Sequence, residues 1–154
     1  MKTDLDAADI RILSVLQEDG DLSIAQIGER IHLSTNACWR RMKRLEESGY
    51  ILGRVALLSP ERLGLGIIAH ISLRLTEQSA ANASRFVAFV MQIRNVTEIS
   101  AMSGEVGFFL KAYTRDLAEH EALVTRLVSE NNFSYIRSEF VLRSYHSTTI
   151  LPLF

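Results

Sequence analysis

The hydrophobic pattern of this chain changes period after Gly49, and the change limits the folds open to it. Before Gly49 the apolar residues recur at helical spacing. From Ile67 they alternate, with Ile67, Ala69, Ile71, Leu73 and Leu75 set against Ile68, His70, Ser72 and Arg74. A 3.6-residue period buries one stripe of a helix, whereas a period of two buries one face of a strand. The expected class is therefore α+β: a helical domain over residues 1–59, including a linker strand, and a mixed domain over 60–154, with the boundary near Ser59.

Three helix starts precede the change. Asp6 with Asp9 approaches a capping box, Leu5 is placed to staple onto Ile10, and Ile10, Leu13 and Leu16 form a stripe that should end near Gly20. Ser23 and Gln26 form an S-x-x-Q box, with Leu22 and Ile27 as a staple and Ile24, Ile27 and Ile31 as the stripe. Ser34 is a third N-cap, and its helix should run to Gly49.

At about 100° per residue, Cys38, Met42 and Leu45 share the one face of this third helix that is apolar enough to pack on the other two. Asn36, Arg40 and Lys43 then point outward, Trp39 and Arg44 flank them, Thr35 sits near the start, and Arg41 lies closer to the buried side. A short turn between two helices, the second presenting Asn, Thr, Arg and Lys, suits major-groove reading. Asn can bond adenine twice, Arg can do the same for guanine, and Lys or Arg can neutralise phosphate. Asn36, Arg40 and Lys43 are thus expected in the groove and Thr35 at its edge. Ser34 is expected as the cap, with Arg44 and Ser23 at phosphates. Trp39 is expected to pack against the linker strand, with a contact to the DNA backbone or a thymine methyl as the alternative. An amphipathic helix with a solvated basic face is the plainer reading, and Glu46 and Glu47 stand at helical spacing to pair with such cations.

Whole-chain charge does not account for this cluster. Net charge is −1; eight of the 17 Lys/Arg and nine of the 18 Asp/Glu fall within residues 1–59, so the excess of cations is confined to residues 40–44. Bulk electrostatics is therefore a poor explanation, and any nucleic-acid binding must be local.

Beyond the linker "YILGRVALL", read as extended, Pro60 and Gly64 punctuate a turn. The spacing predicts a strand from Ile67, a helix over Asn82 to Ile93, two strands around a Ser103-Gly104 turn, a helix opened by Asp116 and Glu119, and a final strand in "SYIRSEFVLRSYHSTT". Strand, helix, strand, strand, helix, strand is the ferredoxin-like βαββαβ order, which by itself names no function. Phe108 and Phe109 are adjacent on a strand and must face opposite sides, as expected of core and oligomer interface rather than a ligand box.

Catalytic and metal readings find little support. His32, His70, His120 and His146 match neither H-E-x-x-H nor a zinc spacing with the lone Cys38, and no nucleophile elbow or phosphate loop is present. No catalytic residue, metal or cofactor is expected. No apolar run approaches the roughly 20 residues of a membrane span, the N-terminus lacks a signal-peptide pattern, and a single cysteine suits a reducing compartment. A cytoplasmic location is expected.

The stretches "LDAADIRILSVLQEDGDLS", "LSTNACWRRMKRLEESGYI", "GRVALLSPERLGLG" and "STTILPLF", in that order, resemble the Lrp/AsnC (leucine-responsive/asparagine-operon, or feast/famine) transcriptional regulators across nearly the whole chain. The resemblance implies a helix-turn-helix domain, an extended linker and an effector-sensing domain. It implies pairing through the sheets and larger disc-like assemblies such as octamers that wrap double-stranded DNA. It also implies a small-molecule effector, an amino acid or derivative, held between sensing domains. On that basis Met102, Ser103, Gly104, Glu105 and Gly107 are expected at the effector, with polar help from Ser147 and Thr148.

Two departures accompany the resemblance. His32 stands where the family's turn carries Gly, so a left-handed backbone would be less favourable there. Gly107 stands where the family's glycine-x-x-aspartate loop carries Asp, removing a carboxylate suited to a ligand's amino group, for which Glu105 is a candidate substitute. The hairpin from Ser103 to Gly107 also reads as a tight turn whose glycines serve the backbone. A ligand-independent architectural protein that compacts DNA is the alternative function.

Overall fold

The computed structural model describes residues 4–153, which pack as two units. One is formed by residues up to Leu57 together with those from His146, and the other by Leu58–Tyr145.

The first unit is built on α1 (Ala7–Glu18), α2 (Ile24–Arg30) and α3 (Thr35–Glu47). Each starts where a side chain takes over orphan amides. Asp6 and Ser23 form reciprocal capping boxes with Asp9 and Gln26, and the Ser34 hydroxyl accepts from the Ala37 N–H. Helix α3 ends as the glycine signal predicts: Gly49 has φ 73° and the Tyr50 N–H returns to the Leu45 carbonyl. Ile12, Ile27, Ile31, Cys38, Met42 and Leu45 form the core. The α1 stripe differs from the expected one. Ile12, Leu13 and Asp9 are buried while Ile10 and Leu16 are only partly so, because α1 turns Asp9 toward α3.

Two extended segments depart from the strands expected of them. Residues 51–59 carry no ladder, and Leu52, Val55, Leu57 and Leu58 are exposed. The closing run is a strand only to Phe140. Beyond it the alternation fails, with Leu142 and Tyr145 almost fully exposed. The chain from His146 packs with the helical unit. Gln17 holds this segment by both ends of its amide, donating to the Leu151 carbonyl (3.2 Å) and accepting from the Leu151 N–H (2.6 Å), and Leu153 packs against the helical core.

After a single 3₁₀ turn at Glu61–Leu63, the second unit runs β1 (Ile67–Leu75), α4 (Ala80–Val90), β2 (Val96–Ala101), β3 (Phe108–Thr114), α5 (Leu117–Glu130) and β4 (Phe133–Phe140). The antiparallel sheet has the order β2-β3-β1-β4. Helix α4 begins earlier than Asn82 because Ser79 caps it. Alternation places Ala69, Ile71, Leu73, Leu75, Phe108, Leu110 and Ala112 in one core with Phe86 and Val90 of α4 and Leu123 and Leu127 of α5. Phe108 meets Phe86 edge-on at 5.1 Å, whereas Phe109 lies on the opposite face against His70, also at 5.1 Å. That opposite face also presents Ser72, Arg74, Lys111, Tyr113 and Arg137, all partly or fully exposed.

Candidate functional site

Helix α3 separates its two faces as the helical arithmetic requires. Cys38, Met42 and Leu45 are buried, and burial pushes the Cys38 thiol pKa up. Thr35, Asn36, Arg40 and Lys43 are exposed on the other side. Among the described residues Arg40 has no carboxylate within ion-pair distance. Lys43 has a loose i,i+4 partner in Glu47 at 3.7 Å, and its ammonium lies 5.4 Å from the Trp39 ring centroid. Glu46 pairs with Arg54 rather than with its own helix.

Trp39 stands outside the helical core and is 49% exposed, beside Lys43. The Ser23 hydroxyl is engaged in its capping box, donating to Gln26 Oε1 at 2.8 Å. The turn into α3 adopts the left-handed backbone at His32, with φ 59°.

Arg44 departs most from expectation. Its side chain is 51% exposed, but its guanidinium bonds the buried Asp9 carboxylate. Arg41 joins it, with Nη1 2.6 Å from Asp6 Oδ2 and 2.9 Å from Asp9 Oδ1. Asp9 is completely buried. Its burial alone would raise its pKa, but the Asp6 N–H and the two guanidiniums outweigh that and hold it below the ordinary value. Asp6 is held at about 2, against 3.8, by the Asp9 N–H and by Arg41. In the sequence Asp6 and Asp9 carry only the signal of a helix cap, not of this cluster. Its one signal was the position of Arg41 toward the buried side of α3.

In the second unit, Met102 to Glu105 are exposed at the β2–β3 connection, which is closed by the Met102 N–H donating to the Gly107 carbonyl at 3.0 Å. Gly104 has φ 101° and needs glycine; Gly107 does not. A Cβ at Gly107 would sit 3.6 Å from the Leu73 carbonyl oxygen and 3.7 Å from Arg74 Cα, which is ordinary contact. The backbone explanation therefore holds for Gly104 alone. Ser147 and Thr148 lie in the segment from His146, which packs within the helical unit.

Two family models match the chain. A winged helix-turn-helix DNA-binding family model matches residues 5–51, and the Lrp/AsnC ligand-binding domain model matches residues 68–151. This chain belongs to the Lrp/AsnC family of transcriptional regulators. The glutamate uptake regulatory protein of Zymomonas mobilis is 36% identical over 97% of this chain and 91% of its own length. The DNA-binding transcriptional activator DecR of Escherichia coli is 35% identical over 97% and 99%. The structure of the Neisseria meningitidis regulator NMB0573 in complex with L-Met superposes with a TM-score of 0.90 at 36% identity, covering 96% of each chain. As a member of this Lrp/AsnC family, the chain is a transcriptional regulator with a helix-turn-helix unit for DNA and a ligand-binding unit. Among its described residues no helix is long and apolar enough to cross a membrane, and no cluster of His, Cys, Asp or Glu is suited to a metal.

Proposed function

We propose that this regulator binds a pseudo-palindromic DNA site as a dimer or larger assembly, with residues 1–59 reading DNA and the domain from residue 60 sensing a metabolite and assembling. Asn36, Arg40 and Lys43 enter the major groove, Thr35 meets its edge, Trp39 lies alongside, and Ser34 holds the helix start. The carrying observation is the exposed polar face of α3 set opposite Cys38, Met42 and Leu45. The sheet face bearing Phe109 and Tyr113 supports self-association through the second domain, since half-exposed aromatics are characteristic of interfaces.

The effector is an amino acid or a derivative, held near Met102 to Gly107. The L-Met complex of the Neisseria relative and the glutamate-uptake role named for the Zymomonas relative support that class. The protein acts in the cytoplasm, where its DNA is, and as a regulator rather than an enzyme.

A thermal-shift screen against amino acids and their catabolic products, each hit repeated with the gene's own upstream DNA, tests the reading. A hit that changes DNA affinity supports metabolite-responsive regulation. Gly107, in place of the family Asp, favours one competing outcome: no hit with DNA binding intact, steep salt sensitivity and little sequence preference, as for an architectural protein.

A further inference from the structure

Four cations crowd residues 40–44 of α3, but the structure divides them into two pairs. Arg40 and Lys43 face solvent. Arg41 and Arg44 keep 32% and 51% of their side chains exposed, yet both place their guanidinium groups across the α1–α3 contact on a carboxylate that has no exposed surface. Asp9 accepts from three donors there: Oδ1 takes Arg41, while Oδ2 takes Arg44 and the Asp6 N–H at 3.0 Å. Asp6 adds a second carboxylate to Arg41.

An ion pair with a fully buried member differs from a surface pair. If either guanidinium swung out to a phosphate, it would leave part of a buried negative charge uncompensated, and that penalty exceeds what a solvent-screened contact returns. We propose that Asp9 is a positioning residue for DNA binding: it withholds Arg41 and Arg44 from the DNA backbone, so that α3 meets DNA with two cations, not four. The inference rests on the proposed DNA-facing side of α3.

The consequence concerns specificity. Phosphate contacts add affinity for every sequence alike, and each adds to the salt dependence of binding. Two extra guanidiniums on the DNA side would strengthen binding to any duplex and dilute the share of affinity that comes from base reading by Asn36 and Arg40. Asp9 therefore limits non-specific attachment as well as supporting the fold.

The test measures full-length protein by fluorescence anisotropy on the gene's upstream DNA and on a random-sequence duplex, taking the slope of log K against log salt. Lys43→Gln removes a DNA-facing cation and should flatten the slope by about 0.9 per recognition helix if it neutralises one phosphate. Arg44→Gln, whose amide can still donate to Asp9, should leave the slope unchanged. Asp9→Asn should steepen the slope and tighten binding to the random duplex, so that the preference for upstream DNA narrows. A merely structural Asp9 would weaken both complexes without steepening either slope.

If Arg44→Gln flattens the slope as much as Lys43→Gln does, Arg44 contacts phosphate and the proposal is wrong. That arm decides the matter even if Asp9→Asn fails to fold. A slope that neither Lys43→Gln nor Asp9→Asn moves instead overturns the DNA-facing reading of α3, and this inference with it.

Discussion

His32 carries the backbone strain in the helical unit. A left-handed non-glycine residue costs roughly 1–2 kcal/mol, partly offset because glycine loses more entropy on folding, about 0.5–1 kcal/mol. His32→Gly should therefore stabilise the unit by about 0.5–1 kcal/mol, read as a higher urea midpoint with an unchanged slope. His120 is the corresponding residue in the sheet unit. It is buried, with Nε2 3.1 Å from Ser138 Oγ and Nδ1 without a partner among the described residues. Burial pushes its pKa below the ordinary 6.5. The unfolded chain therefore takes up a proton that the folded state resists. The stability this confers is complete above 6.5 and is lost as pH falls through 6.5 toward the lower folded value. Thermal unfolding followed across that range should show the decline, and His120→Gln, which cannot charge, should remove it.

Among the elements, the α2–α3 turn makes the sharpest demand on sequence. Gly28 lies inside α2, where Ala would ordinarily be better by about 1 kcal/mol. Here an added Cβ would stand 2.8 Å from the Leu33 carbonyl oxygen, in the same turn where the Leu33 N–H bonds the Gly28 carbonyl at 2.8 Å. Gly28→Ala should thus destabilise the unit by about 1–3 kcal/mol through overpacking. It should also weaken DNA binding, because the turn sets the angle of α3; calorimetry and anisotropy on the same samples would check both. The elements were largely legible beforehand. Ser23 with Gln26, Ser34, Gly49 and Asp116 are local signals that act over three or four residues, so they can be read without knowing the fold. The strand ends were not legible. A strand continues only while a neighbouring edge pairs with it, and apolar alternation continues past Phe140 in the text of the chain but not in the sheet.

For the molecule as a whole, the C-terminal segment is the feature that local patterns could not anticipate. Nothing in "STTILPLF" says that Gln17, 134 positions earlier, will clamp Leu151. Gln17→Ala should cost the helical unit about 1 kcal/mol, and Leu153→Ala, which strips a partly buried side chain from the same core, about 1–2 kcal/mol. Far-UV circular dichroism during urea unfolding would measure both. What sequence by itself determined was the set of features that depend on spacing along one element: three capped helices, the buried Cys38–Met42–Leu45 stripe with its polar opposite face, and the βαββαβ order. What only the tertiary structure decided was how charges and chain ends are shared between elements: Arg44 with Asp9, and Gln17 with Leu151. The physical reason is that periodicity fixes the direction of a side chain relative to its own helix or strand, whereas its partner depends on which other element packs opposite, and that is settled only when the whole core forms.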